Sequence, residues 1–381
     1  MKQAFRVYCV WACLLLAPWP LFAQTSPANK ARELVFSKTV SYSGIFDPSI
    51  ADVPPGQRLW MSYTAVDPSP HFPKDNDRIE TTRLAYSDDA GQNWTDYGYI
   101  VNNIKEFEYN GMPASWVNET STLVYDPYGP VAERWKLFWH HYLLIAEKPR
   151  FEHGWIAYKA AATPEGLKQA PEIKLFGAMA YQTINDDPNS ETSPPVGGEP
   201  MIPFHKLHEN LNFCAAIGEP GVMALPTGLY LAAVCQKPNM LGAMGFHSET
   251  VLMKCAAPCR PMEPHGWVYV AKLLNDGLSA ADLFTEKGQA YLIASPGSDD
   301  PVPGAYNGCN VYHFTNLETG QLETDKFNQP RVVKSFSGEP HSFNGACTYR
   351  ASAPGAGFVL SQLHIVNDKP SFHIILSGRG M

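Results

Sequence analysis

Four acidic residues stand at the heads of short apolar stretches that are far apart in the chain. They are Asp47 in FDPSI, Glu119 in VNETSTLVY, Glu219 in GEPGVMA and Asp282 in SAADLF. Carboxylates gathered from separate segments into one partly desolvated pocket repel each other, and repulsion together with burial holds at least one of them protonated near neutrality. One protonated acid beside one ionised carboxylate is the pair that hydrolysis of a glycosidic bond uses. The acid serves the leaving oxygen, and the carboxylate acts as base or nucleophile. On this pattern Asp47, Glu219 and Glu119 are the catalytic candidates, and Asp282 is a candidate substrate contact. Trp116 and Tyr306 are candidates to stack on a sugar face, and His341, just ahead of the last such stretch, is a further contact. A single acid before a strand is ordinarily a turn or cap residue, so these four draw their weight from the repeated position.

The elements that would carry them are strands. Long runs with apolar residues at i, i+3, i+4 and i+7 are missing from the sequence after residue 23, whereas short β-branched and aromatic runs bounded by Gly, Pro, Asn and Asp recur throughout. The first unit runs from Phe46 to Val101. Others open at Val117, Gly218, Ser279 and Phe343 and repeat the order of acid or small residue, apolar strand, turn and aromatic strand. Units of roughly 70 residues with about four strands each predict an all-β fold, a five-bladed β-propeller whose inner strands converge on one channel. The last unit shows three clear strands, and the unassigned stretch Glu33–Val40 is expected to supply the fourth, closing the last blade and hiding two sheet edges.

Asp47-Pro48-Ser49-Ile50 and Gly218-Glu219-Pro220-Gly221-Val222 resemble the corresponding motifs of the five-bladed propeller glycosidases of the arabinanase, β-xylosidase and levanase/invertase group, glycoside hydrolase families 32, 43, 62, 68 and 117. The resemblance implies that Asp47 is base or nucleophile and Glu219 the general acid. It gives Glu119 the tuning role, with a departure, since the group usually has Asp there. Ser87-Asp88-Asp89-Ala90-Gly91-Gln92-Asn93-Trp94 matches the Asp-box, S-x-D-x-G-x-x-W, of sialidase-type propellers. That box is a structural hairpin turn. A sialidase would also need an arginine cluster and a tyrosine nucleophile, for which Arg350, Arg379, Tyr306 and Tyr349 are the candidates. No arginine stands at an inner-strand head, so a neutral sugar ranks above a sialic acid. A carbohydrate-binding propeller without turnover is the alternative from another class.

Residues 1–23 have the layout of a secretory signal peptide: Lys2 and Arg6, an apolar run from Tyr8 to Ala17, and Leu21-Phe22-Ala23 before Gln24. Residues 24–381 are then one propeller domain, secreted or periplasmic, with no membrane span. Without Lys2 and Arg6 the formal charge moves from −8 to −10. So acidic a chain is a poor partner for nucleic acid, and the expected partner is carbohydrate. Six cysteines remain, an even number that permits disulfides without choosing a pairing. Cys255 and Cys259 lack a second pair at zinc-site spacing. No cofactor is expected, and the central channel is the place for a structural cation. The loop 183–203 is too polar and too rich in Pro and Gly for core. Asn93-Trp94-Thr95 and Asn118-Glu119-Thr120 match N-glycosylation sequons, the second beside a candidate acid.

Overall fold

The computed structural model describes residues 31–37, 44–68, 78–101, 106–109, 111–146, 148–177, 201–238, 246–263, 265–275, 278–296, 308–337, 344–351, 357–366, 369–377 and 381. Within them the chain is all-β apart from short 3-10 turns. No described helix is long and apolar enough to cross a membrane. Residues 1–23, the 183–200 stretch, Tyr306, His341 and Arg379 lie outside the described residues.

Five sheets follow one another in chain order. The first contains Ile45–Ile50, Leu59–Pro68, Arg78–Ser87 and Trp94–Tyr99; the second is built on Met112–Tyr125, Trp135–Ile145, Lys148–Ala161 and Ile173–Gly177. The third contains Ala216–Leu225, Gly228–Pro238, Phe246–Ala256 and Trp267–Leu274. The fourth runs Leu278–Glu286, Gln289–Pro296 and Cys309–Asn316, with Gln321–Leu322 and Val332–Phe336 both paired to the last of these. The fifth runs Asn344–Thr348, Val359–Val366 and Lys369–Leu376. Each sheet's main strands are antiparallel neighbours joined by short turns, the local pairing that alternating sequence and Gly, Pro or Asp turns favour.

The first strand of every sheet, its leading strand, touches the leading strands before and after it, and that of the fifth touches that of the first. Apolar side chains fill the spaces between successive sheets. Trp60, Trp94, Trp135 and Trp155 belong to one buried cluster shared by the first two sheets. Phe138, Tyr158, Leu231 and Met253 join the second to the third, Leu252, Leu283 and Leu292 the third to the fourth, and Phe284, Val311 and Phe358 the fourth to the fifth. Trp116, the expected sugar platform, belongs to the first cluster. It is only 6 % exposed, stacked on His141 and packed on Trp155, so it is a core residue rather than a pocket lining.

The strand anticipated over Glu33–Val40 is split. Arg32–Glu33 pairs antiparallel with Lys369–Leu376 of the fifth sheet, whereas Phe36–Ser37 pairs parallel with Trp94–Tyr99 of the first. This segment therefore bridges the last sheet to the first rather than lying wholly on one. The cysteines pair as Cys214–Cys235, Cys255–Cys259 and Cys309–Cys347, and the last of these ties the fourth sheet to the leading strand of the fifth. In the turn from Ser87 to Trp94, the Ser87 hydroxyl accepts from Gly91 N–H at 2.9 Å, Asp89 accepts from Asn93 N–H at 2.8 Å, and the Trp94 ring donates to Gly91 O at 3.1 Å. Asn118 is fully buried and bonded to Trp139 and His141, so its sequon is inside the fold.

Candidate active site

One backbone device occurs in all five leading strands. At the same place in each, three residues span two of the neighbouring strand: Phe46 to Ser49, Glu119 to Thr122, Gly218 to Gly221, Ser279 to Asp282 and Gly345 to Thr348. The residue inside each bulge has positive φ although none is glycine: Asp47 at 50°, Thr120 at 47°, Glu219 at 51°, Ala280 at 47° and Ala346 at 48°. Such a conformation costs on the order of 1–3 kcal/mol for a residue with a Cβ and survives only where its surroundings impose it. In the first and third sheets the bulge residue is an acid followed by proline, Asp47-Pro48 and Glu219-Pro220. Proline has no N–H to give, which suits a point where the ladder is already broken.

The bulges correct the sequence alignment of the four acids. Asp47 and Glu219 are true equivalents. In the second sheet the equivalent position belongs to Thr120, and Glu119 precedes it, matching Phe46 and Gly218 in the neighbouring sheets. In the fourth sheet the equivalent is Ala280, and Asp282 lies two residues further on. Asp282 matches Ser49, Thr122, Gly221 and Thr348 instead, a second ring that ties adjacent leading strands together. Thr348 donates to Asp282 at 2.8 Å and accepts from Ile50 N–H at 3.4 Å. Ser49 accepts from Leu123 N–H at 3.3 Å, and Thr122 donates to Pro220 O. Between the third and fourth sheets the tie is close backbone contact, for a Cβ at Gly221 would fall 2.3 Å from Ala281 O.

Asp282 is thus held by a scaffold contact, the Arg350 pair, while it also lines a small cavity at the axis. It is 5 % exposed, and Arg350 grips its two oxygens at 2.7 and 3.0 Å. The same pairing removes Arg350 as a receptor for a substrate carboxylate. Tyr349, the other tyrosine considered for that chemistry, has its ring packed on Phe284 and Phe358.

Around Asp47 the contacts are of another kind. Its Oδ2 accepts from the Thr120 hydroxyl at 3.0 Å, Thr120 N–H at 3.2 Å and the Thr64 hydroxyl at 3.4 Å. These donors favour the ionised carboxylate. Burial opposes them and is the largest effect, and the nearby Glu219 carboxylate adds to it, so that the Asp47 carboxyl is pushed up to about 7. Half-buried Glu219 accepts from Ala280 N–H through Oε2. The Glu119 carboxyl is held well above its usual range, first by burial, then by Glu80 and then by Asp47, against a hydrogen bond from Tyr142. Charge on Glu80 thus disfavours a second charge on Glu119.

Sequence reasoning passed over Glu80, Thr64, Thr120 and Tyr142, and gave His140 no particular weight. Glu80 and Thr64 sit on second and third strands, where a strand pattern offers no sign of function. His140 has a register signal that only the structure reveals. It lies opposite Glu119 as Thr64 lies opposite Phe46, Ser295 opposite Ser279 and Ser361 opposite Gly345. Thr64, Ser295 and Ser361 each accept the N–H of the next sheet's bulge residue, Thr120, Ala346 and Asp47 respectively. His140 stands where the corresponding partner of Glu219 would be. Its ring is packed on Gly218, where a Cβ would fall 2.4 Å from Cε1. Both ring nitrogens are buried without a hydrogen-bond partner among the described residues, and burial drives the imidazolium down to about 3, so the ring is neutral.

A small axial cavity is lined by all five leading strands, with Asp47, Thr120, Pro220, Ala280 and Ala346 among its walls. No family model matches the chain, and no curated protein matches its sequence. Among solved structures, a family 117 glycoside hydrolase produced by the marine bacterium Zobellia galactanivorans is similar over 91 % of this chain and 89 % of its own, at 13 % identity and a TM-score of 0.51. A thermostable family-43 glycoside hydrolase is similar over 90 % of this chain and 91 % of its own, at 12 % identity and a TM-score of 0.48. At such identities the likeness to the first is one of fold.

Proposed function

We propose that this protein is an exported glycoside hydrolase, a five-bladed β-propeller that cleaves an oligo- or polysaccharide with Asp47 and Glu219. The observation that carries the reading is the shared bulge. Asp47 and Glu219 alone among the five equivalent residues are acids, and burial, joined by the Glu219 carboxylate, raises the Asp47 carboxyl. The closed cycle of contacts among leading strands supports the propeller, and the fold shared with a glycoside hydrolase makes a carbohydrate the natural substrate class.

In this mechanism Glu219 carries the proton and gives it to the leaving oxygen as the glycosidic bond breaks. Asp47 is the partner that reacts as the carboxylate, the form that its carboxyl, pushed up to about 7, takes above that pH. It either attacks the anomeric carbon or takes a proton from the water that does. Thr64 and Thr120 hold its Oδ2, orienting the carboxylate and stabilising its charge. Loss of the Glu219 proton in the same step would strengthen the repulsion on Asp47, so the two titrate as a pair. Glu119 shapes the field from beside the bulge, its carboxyl held well above the usual range by burial and by Glu80. His140, neutral and without a hydrogen-bond partner among the described residues, offers a hydrogen bond to whatever binds beside Glu219.

The test uses aryl glycosides and plant or algal oligosaccharides. Asp47→Asn and Glu219→Gln are each expected to lower kcat at least about 1,000-fold on a cleaved substrate while leaving binding within a few-fold. Unchanged turnover in both variants would falsify the assignment. Oligosaccharide binding with no cleavage by the parent protein would make it a carbohydrate-binding propeller.

A further inference from the structure

Away from the axis, the segment that clasps the fifth sheet gathers three metal-binding side chains. Glu33 is paired with Ile375, His373 with Gln362, and His364 with Ser371. Side chains two residues apart on a strand share a face, and so do directly paired ones, so Glu33, His373 and His364 stand on one face across three adjacent strands. The two imidazoles are stacked with centroids 4.6 Å apart, and His373 Nδ1 meets the Glu33 carboxylate. One donor atom from each of the three lies within 4.8 Å of the other two. The Gln362 amide fixes the His364 ring through Nε2 at 2.6 Å. His373 Nε2 is buried and has no hydrogen-bond partner among the described residues. A buried ring nitrogen left without a partner is unfavourable unless something else occupies it.

We propose that Glu33, His364 and His373 bind a divalent transition-metal ion, Zn2+ by preference, which bolts the Arg32–Glu33 strand to the last two strands of the fifth sheet. Two neutral imidazoles and one carboxylate are a donor set that suits Zn2+ and its neighbours, with water completing a four-coordinate shell, and are a poor match for Ca2+ or Mg2+, which prefer all-oxygen sites. The three ligands come from both ends of the sheet sequence, so the ion cross-links the segment around residue 33 to strands more than 300 residues later. Its job is closure of the fold. It is independent of Asp47 and Glu219.

The experiment takes the full chain without a histidine tag, stripped with chelator, and titrates it with ZnSO4 by calorimetry, with CoCl2 as a spectroscopic probe. Expected are one Zn2+ per chain at micromolar or tighter affinity, tetrahedral d–d bands with Co2+, and a Tm about 5 °C higher with metal at a hundredfold excess over Kd. Hydrogen exchange at residues 32–37 slows with Zn2+. His373→Asn and His364→Gln each weaken Zn2+ at least about 100-fold and abolish the Tm rise, and Glu33→Gln weakens it about 10- to 100-fold. Failure of the parent chain to bind Zn2+ at 100 μM, on the order expected of a built site, overturns the proposal, and this readout needs no variant to fold. Undiminished binding in a folded His364→Gln/His373→Asn double variant overturns it equally.

Discussion

The leading strands of the first and third sheets differ from those of the fourth and fifth in chemistry and hardly at all in backbone. Asp47 and Ala346 occupy matching bulges with φ of 50° and 48°, and each has its N–H taken by a serine hydroxyl from the preceding sheet, Ser361 and Ser295. The strained turn is therefore a part of the architecture, needed wherever a leading strand bends at the axis, and acids have been placed on two of its five copies. Two residues further along each strand lies the ring of ties, where the same axis is held by Ser49, Thr122, Thr348 and the Asp282–Arg350 pair. Asp47 in the first ring is desolvated and repelled by Glu219. An acid in the second is neutralised. That contrast separates a reactive carboxylate from a structural one better than strand position does.

Breaking the second ring should cost most. Asp282→Ala leaves the buried Arg350 guanidinium without its partner and is expected to destabilise the fold by about 3–5 kcal/mol, read from denaturant unfolding. A loss under about 1 kcal/mol would mean that the pair behaves like a surface ion pair and that the two rings do not differ as described.

The first ring should respond in the opposite sense. The Asp47 carboxyl is raised in the folded protein from 3.8 to about 7, so the folded state keeps a proton that the unfolded chain releases. The stability tied to that proton is complete below pH 3.8 and is lost as the pH rises through about 7. Asp47→Asn carries no such loss. At pH 8 it is expected to be about 1–4 kcal/mol more stable than the parent, with the difference vanishing toward pH 4. Equal stability of the two proteins at both pH values would show that the carboxylate is not strained by its site.

The smallest effect tests the backbone itself. Ala346→Gly removes the Cβ that makes a φ of 48° unfavourable, and a gain of up to about 1 kcal/mol is expected, offset in part by the greater freedom of glycine in the unfolded chain. A clear loss of stability would mean that packing of the Ala346 methyl, and not the bulge, dominates at that position.

The all-β class, the order of the strands and the places where units begin were legible in the sequence, because a strand's alternation and its Gly, Pro and Asp turns are local. The prolines after Asp47 and Glu219 fall at two of the bulges, which only the strand register reveals. Register was not legible. A shift of one residue moves a side chain to the other face, and that is the distance between Glu119 and Thr120. Two residues separate Ala280 from Asp282 and turn a candidate ligand into the partner of Arg350. Trp116 looked like any exposed aromatic because burial depends on the sheet packed over it. By itself the sequence determined that carboxylates would be available at the heads of strands. Only the tertiary structure decided which of them share a ring, since a carboxylate's charge is set by neighbours such as Thr120, Glu80 and Arg350 that the chain brings in from tens of residues away.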